Sequence, residues 1–371
     1  MTPRMAAAIP IARPQIGEEE KREVLQVLES GSLVAGARVA AFEAAFAGYL
    51  GVPHAVATAS GSAALQVAIM ALGVGPGDRV VTTPFTFAAS SNAVIHAGAQ
   101  PVFVDVDPAT GNLDPDAAEA ALRSGGIRAL LVVHLYGRPA DLGAFRALAD
   151  RYGVLLIEDC AQAHGAAVDG RMVGTVGDAA IFSFYPTKNM TTGEGGMVTT
   201  ADAGVARRAR LLTDPRGDQE YAYEVVGFNY RMTEIAAAIG LVQLRALEAR
   251  NEQRRANARR LTDGLGDLPW LLLPREPASM RSVYHQYTIR VPEGRDALAR
   301  HLAAHGVASR VYYPSLVPHT PAYRQRGFDG AFPNAEALTR QVLSLPVHPG
   351  LRPDDLDVIV DAVRSFPGAP R

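Results

Sequence analysis

Between residues 79 and 212 short apolar runs alternate with stretches of helical periodicity, and this alternation limits the chain to very few folds. The runs lie at 80–82, 101–106, 129–134, 154–158, 179–184 and 196–200, and helical patterns occupy 62–72, 87–96, 141–152 and 203–212. A strand written as an unbroken apolar run is covered on both faces. A helix between two such strands is the crossover that parallel pairing requires. The spacing therefore predicts an α/β architecture around a mostly parallel sheet, with ligands expected beyond the carboxyl ends of its strands.

A second helical pattern, without an internal breaker, runs from residue 233 to about 261. It is long enough to bridge two bodies. Beyond it the patterns read as a strand at 284–291, a helix at 297–305, a strand at 309–313 and a helix at 354–365, which predicts a smaller α+β body. A division into a large domain at 1–245 and a small domain at 246–371 is expected, and the chain length supports two cores. The 36 basic and 38 acidic side chains leave a net charge of -2, which gives no electrostatic case for nucleic acid. The single cysteine, Cys160, excludes an intrachain disulfide and any multi-Cys metal site. The apolar stretch at residues 5–10 is too short for a signal peptide, and no run of about 18 apolar residues occurs, so a cytoplasmic protein with no membrane partner is expected.

Only two of the basic residues are lysine, Lys21 and Lys188; the rest are arginine. Lys21 falls within Glu18-Glu19-Glu20-Lys21-Arg22 and reads as part of a solvated helix face. Lys188 lies between an apolar run and the Gly-rich turn that ends at Gly196. A primary amine condenses with an aldehyde to give a Schiff base, and a guanidinium does not.

Two further segments point the same way. In Ala57-Thr-Ala-Ser60-Gly61-Ser62 a β-like piece runs into a helix, which offers free backbone N–H groups and hydroxyls to a phosphate; the plainer alternative makes Ser62 an N-cap. The segment lacks the Gly-Lys-Ser/Thr ending of a P-loop. The strand at 154–157 leads into Glu158-Asp159-Cys160, and a carboxylate buried there needs a positive partner, either an arginine or a protonated heterocyclic nitrogen. Asp159 and His164 have no companions at metal-site spacing, and His164 reads as a packed core histidine. Asp105-Val-Asp107-Pro-Ala-Thr-Gly111 lacks the third acid and closing glutamate of a calcium loop and reads as a turn. A phosphate cradle, an acid at a strand end and a lone lysine, in that order, fit pyridoxal 5'-phosphate. The cradle would anchor its phosphate, the acid would keep its pyridine nitrogen protonated, and the lysine would bind its aldehyde.

The segments at 184–196, 159–165, 227–232 and 103–108 resemble the DegT/DnrJ/EryC1/StrS family of sugar aminotransferases. The resemblance extends from about residue 9 to the last helix. It implies a fold-type I pyridoxal phosphate enzyme, a homodimer with shared active sites, and amino transfer from glutamate to a nucleotide-linked keto sugar. Carried over position by position, it makes Lys188 the Schiff-base residue and Asp159 the partner of the pyridine nitrogen. Gln162 then contacts the phenolic oxygen and Phe87 stacks on the ring. Gly61, Ser62 and Ser183 bind the phosphate, and Asn229 reaches it from the neighbouring subunit. Arg231 becomes the candidate for the amino donor's carboxylate, unless it forms a structural ion pair. The sequence departs from the pattern at Ala37, where proline is common, and at Tyr312, where many members carry histidine. Both departures are expected to bear on the sugar pocket. Dehydrating relatives replace the lysine by histidine, which Lys188 argues against. A member that makes an aromatic amino acid precursor, or a regulatory protein that keeps the fold, remains the alternative.

Overall fold

The apolar runs become the centre of a seven-stranded sheet in the computed structural model, which describes residues 9–216 and 223–368. Its strands are β1 (His54–Thr58), β2 (Arg79–Thr82), β3 (Gln100–Phe103), β4 (Ala129–Val133), β5 (Leu155–Asp159), then, past the short hairpin β6 (Ala167–Val168) and β7 (Arg171–Met172), β8 (Ala179–Ser183) and β9 (Gly196–Thr200). They are ordered β1-β9-β8-β5-β4-β2-β3. The adjacent pairs from β3 through β2, β4 and β5 to β8 are parallel, as expected. β9 runs antiparallel to both β8 and β1. The link from β8 to β9 is the turn bearing Lys188 and contains no helix, so the chain folds straight back beside the strand it has just left.

Successive residues of each strand face opposite sides of the sheet. Leu131 of β4, Ile157 of β5 and Ile181 of β8 point to one face, where α3 (Gly61–Ala71), α4 (Ala89–His96) and α7 (Ala203–Thr213) cover them. Leu130, Val132 and Leu156 point to the other, under α5 (Pro115–Arg123) and α6 (Leu142–Tyr152).

Two N-terminal helices extend that second layer: α1 (Glu18–Ser30) and α2 (Ala37–Leu50), of which the sequence patterns suggested only the first, as a charged face. Lys21 is exposed on α1, 2.6 Å from Glu18. The Ala-rich α2 has little apolar contrast, yet Phe46 packs 4.9 Å from Phe182 and Phe42 5.3 Å from Phe184, ring centre to ring centre. The departure at Ala37 is the first residue of α2, a position that favours proline for its fixed φ. That helix start is held by the buried carboxylate of Glu234, which accepts from the backbone N–H groups of Gly36, Arg38 and Val39 at 2.9–3.0 Å.

The long helix is α8 (Glu234–Leu265), capped by Thr233, whose hydroxyl accepts from the Ala236 N–H at 3.2 Å. Its first half joins the layer on the large sheet through Ala237 and Leu247, and its second half packs through Ala258, Leu261 and Leu265 into a separate apolar cluster. That cluster is built on β11 (Tyr287–Arg290), paired antiparallel with β12 (Val342–Leu345), together with α9 (Arg295–Ala304) and α12 (Pro353–Arg364). The short strand β10 (Met280–Arg281) adds to β6, and α10 (Pro321–Arg324) and α11 (Pro333–Gln341) lie between α9 and β12 in the chain.

The strand expected at 309–313 does not form; only Arg310 bridges to Ser344, and Pro314 ends the extended segment. The strand expected from residue 284 starts at Tyr287, because Tyr284 adopts a left-handed φ of 42°. Among the described residues no helix is long and apolar enough to cross a membrane.

Candidate active site

β5 ends at Asp159, at the carboxyl end of the sheet, and the strand's alternation places this carboxylate on the face that α4 covers. Asp159 is buried. Its Oδ2 accepts from the Ser90 hydroxyl at 2.7 Å and its Oδ1 from the Ala161 N–H at 3.1 Å. No arginine or lysine stands within ion-pair distance of it among the described residues. Burial raises its pKa, and the two hydrogen bonds with the charge of Lys188 offset that only in part. An under-compensated anion of this kind is the chemistry that receives a protonated pyridine ring.

Lys188 sits in the tight turn after β8, its backbone N–H bonded to the Tyr185 carbonyl at 2.9 Å. Burial pulls its pKa down to about 8 against the opposing pull of Asp159. Near neutral pH the unprotonated amine, the form a nucleophile requires, is then far more populated than in an ordinary lysine.

The cradle at the start of α3 is shaped by contact. A Cβ at Gly61 would stand 2.6 Å from the Ser183 Cβ, so only glycine lets the helix approach the end of β8 this closely. The N-cap is Ser60, whose hydroxyl accepts from the Ala63 N–H at 3.1 Å; Ser62 is therefore not a cap. Ser62 lies exposed in the first turn, where the N–H groups of Gly61 and Ser62 have no intrahelical acceptor. Gly61, Ser62 and Ser183 thus surround free donors suited to a phosphate.

Gln162 is fixed from two sides: its Oε1 accepts from the Tyr136 N–H at 2.7 Å and its Nε2 donates to the Tyr313 hydroxyl at 3.1 Å. One amide hydrogen stays free to meet a ligand oxygen. Phe87 precedes α4 and is 62% exposed, an open aromatic face. Tyr312 lines a small crevice with Thr187, Arg254 and His285, and its backbone carbonyl accepts from the Tyr136 hydroxyl.

Two of the expected residues share no hydrogen bond or crevice with Lys188 among the described residues of the single chain. Arg231 pairs with Asp214 at 3.2 Å and lines a separate cleft with Gly36, Glu43 and Arg210, so within one chain it is the structural ion pair. Asn229 is exposed on a segment tied to the cradle by the Ala59 N–H, which donates to the Tyr230 carbonyl at 2.6 Å. Residues 217–222 of the charged loop ahead of it lie outside the described residues. His164 is a packed core histidine, its ring 5.4 Å from Phe182 and 5.7 Å from Phe184, and burial drives its pKa down to about 3. Asp107 closes the turn read at 105–111 by accepting from the Ala109 and Thr110 N–H groups at 3.0 and 2.7 Å.

Ser90, Tyr136 and Tyr313 were not visible as site residues in the sequence. Each acts across a long separation in the chain on Asp159 or Gln162, and no local pattern announces such a pairing.

Residues 14–364 match the DegT/DnrJ/EryC1/StrS aminotransferase family. The chain is 43% identical over 358 residues to the dTDP-3-amino-3,4,6-trideoxy-alpha-D-glucose transaminase of Streptomyces venezuelae, covering 96% of this chain and 94% of that protein. It is 40% identical over 359 residues to a pleiotropic regulatory protein of Geobacillus stearothermophilus, covering 94% and 95%. The crystal structure of S. venezuelae DesV superposes with a TM-score of 0.94 at 40% identity over 99% of this chain and 100% of that one.

Proposed function

Because the chain belongs to the DegT/DnrJ/EryC1/StrS aminotransferase family, we propose that it uses pyridoxal 5'-phosphate to move an amino group from glutamate to a nucleotide-linked keto sugar. The observation that carries this reading is a buried Asp159 carboxylate that has no arginine or lysine within ion-pair distance among the described residues, close enough to the amine of Lys188 for their charges to interact. The named S. venezuelae relative, a nucleotide-sugar transaminase, supports the substrate class.

Bound pyridoxal phosphate would supply an aldehyde for an amine to attack and a ring able to take up electron density. Lys188 would be the attachment point, and its Nζ, with a pKa of about 8, could also serve as the base that accepts and returns a proton. Asp159 holds the proton on the ring nitrogen, with Ser90 and the Ala161 N–H fixing the carboxylate. Gln162 offers its free amide hydrogen to the phenolic oxygen, Phe87 covers the ring, and Gly61, Ser62 and Ser183 hold the phosphate. Tyr312 borders the sugar.

Asn229, exposed beside the cradle, serves the site of a second copy in a homodimer with two shared sites. We divide the chain into a cofactor-binding domain at 1–245 and a C-terminal domain at 246–371. The separate apolar cluster of the second half of α8 supports this division, although the helix itself runs through the boundary unbroken.

The test is optical. Protein loaded with pyridoxal phosphate should be yellow and should bleach on addition of glutamate; a panel of nucleotide-linked keto sugars should then restore the colour, with the amino product identified by mass spectrometry. Protein that cannot be loaded, or a loaded protein that glutamate leaves yellow, rules the reading out in favour of a binding role.

A further inference from the structure

Arg254 is 5% exposed at the middle of α8. A buried guanidinium normally faces a carboxylate. Here its NH1 donates to only two backbone carbonyls, those of Tyr284 and His285, at 3.3 and 3.4 Å, and its Nε has no hydrogen-bond partner. Among the described residues no aspartate or glutamate lies within ion-pair distance of it.

Its surroundings add positive charge. Arg254 lines a crevice with Lys188, Arg250 and the exposed Arg13. The buried imidazoles of His164 and His285 are both held neutral, by burial first and then by the charges of Lys188 and Arg254. Arg250 already has an acid, Glu20, at 3.6 Å. Among the described residues Arg254 is thus an unpaired cation among cations, in the crevice that Lys188 also lines, and a bound anion would complete it.

The amine exchanged at Lys188 belongs, in an amino acid donor, to the carbon that also bears a carboxylate, so that carboxylate must come to rest in the space Lys188 shares. A guanidinium fork matches its two oxygens.

We propose that Arg254 is the receptor for the α-carboxylate of the amino donor, in place of Arg231, which Asp214 already occupies within the chain. The assignment rests on the aminotransferase reading above.

The test uses the loaded enzyme and its Arg254→Gln variant. The glutamate concentration for half-maximal bleaching should rise about 30- to 1,000-fold in the variant, on the scale of a buried charge pair losing one partner. The preference for glutamate over 4-aminobutyrate, which lacks the carboxylate beside the amine, should collapse by a similar factor. Calorimetric titration of the loaded enzyme with glutarate should show the same weakening without any turnover. Affinity for a nucleoside diphosphate should not change. Arg254→Lys should recover part of the loss, since it keeps the charge without the fork. Should Arg254 variants fail to fold, Ala12→Glu serves instead: Ala12 borders the same crevice, and a tethered carboxylate there should compete with glutamate while Arg254 stays in place. Unchanged glutamate affinity in a folded Arg254→Gln or Ala12→Glu protein overturns the proposal. So does weakened diphosphate binding with glutamate unaffected, or loss of a dimer in Arg254→Gln. A wild-type enzyme that glutamate never bleaches would instead refute the aminotransferase reading itself.

Discussion

The Ser90 hydroxyl donates to Oδ2 of Asp159 at 2.7 Å, so the acid at the end of β5 is aimed by a residue from the first turn of α4, on the far side of the strand order. Neither residue carries out this task alone. Asp159→Asn removes the charge that would hold the ring nitrogen protonated and should lower kcat roughly 10²- to 10³-fold, the usual scale for losing one aimed electrostatic group. Ser90→Ala keeps the charge and should cost about 10-fold or less, about one hydrogen bond's worth. Equal losses in the two variants, or near-normal turnover in Asp159→Asn, would show that the carboxylate is structural.

Gly61→Ala tests the cradle. The new Cβ would meet Ser183 at 2.6 Å, and parting α3 from the end of β8 should cost about 1–3 kcal/mol, the usual range for overpacking. Binding of pyridoxal 5'-phosphate should weaken more than that of pyridoxal, which has no phosphate to lose. Equal weakening of both would remove the phosphate from this helix start.

For Lys188 the sign of the pH effect follows from burial, which favours the neutral amine and places its pKa at about 8 instead of 10.5. In cofactor-free protein the rate of aldehyde capture should climb through pH 8 and level off well below the range of an ordinary lysine. Between the two pKa values the unfolded chain holds more protons at this position than the folded one, so stability should rise with pH across that window, compared with Lys188→Met. Asp159→Asn should move the capture profile to still lower pH, because Asp159 is what favours the cation. A profile centred near 10.5 contradicts the placement of the amine.

Subunit exchange tests Asn229. Mixing inactive Lys188→Ala protein with an inactive Asn229→Ala protein should give heterodimers in which one site has both native residues, and part of the activity should return. Demonstrated exchange with no recovery would mean that Asn229 acts within its own chain.

The parts of the fold that were legible in the sequence were those written in local pattern. Leu130, Leu131 and Val132 are apolar in unbroken succession because both faces of β4 are covered, and that signal survives without any knowledge of neighbours. Lys188 stood out by rarity and Asp159 by its place at the end of such a run. What could not be seen depends on distant parts of the chain. Ser60 takes the cap that the plainer alternative gave to Ser62, because the helix already begins at Gly61. Glu234 and Ser90 act through contacts that no spacing rule encodes. The antiparallel turn of β9 came from the missing crossover, and the lost strand at 309–313 from having only Ser344 to pair with.

β5 also sorts two adjacent acids by parity. Asp159 looks into the crevice with little to answer its charge, while Glu158, one residue back and on the opposite face, is saturated: His134 meets it at 3.1 Å and the N–H groups of Gly174, Val176 and Gly177 at 2.7–2.8 Å. The strand therefore behaves as a two-sided template on which a single step along the chain exchanges a quenched anion for a reactive one. An inserted or deleted residue within 154–158 would present Glu158 or Cys160 to the crevice and turn Asp159 toward donors spaced for a longer side chain. The catalytic face of this protein is, in that sense, a matter of counting.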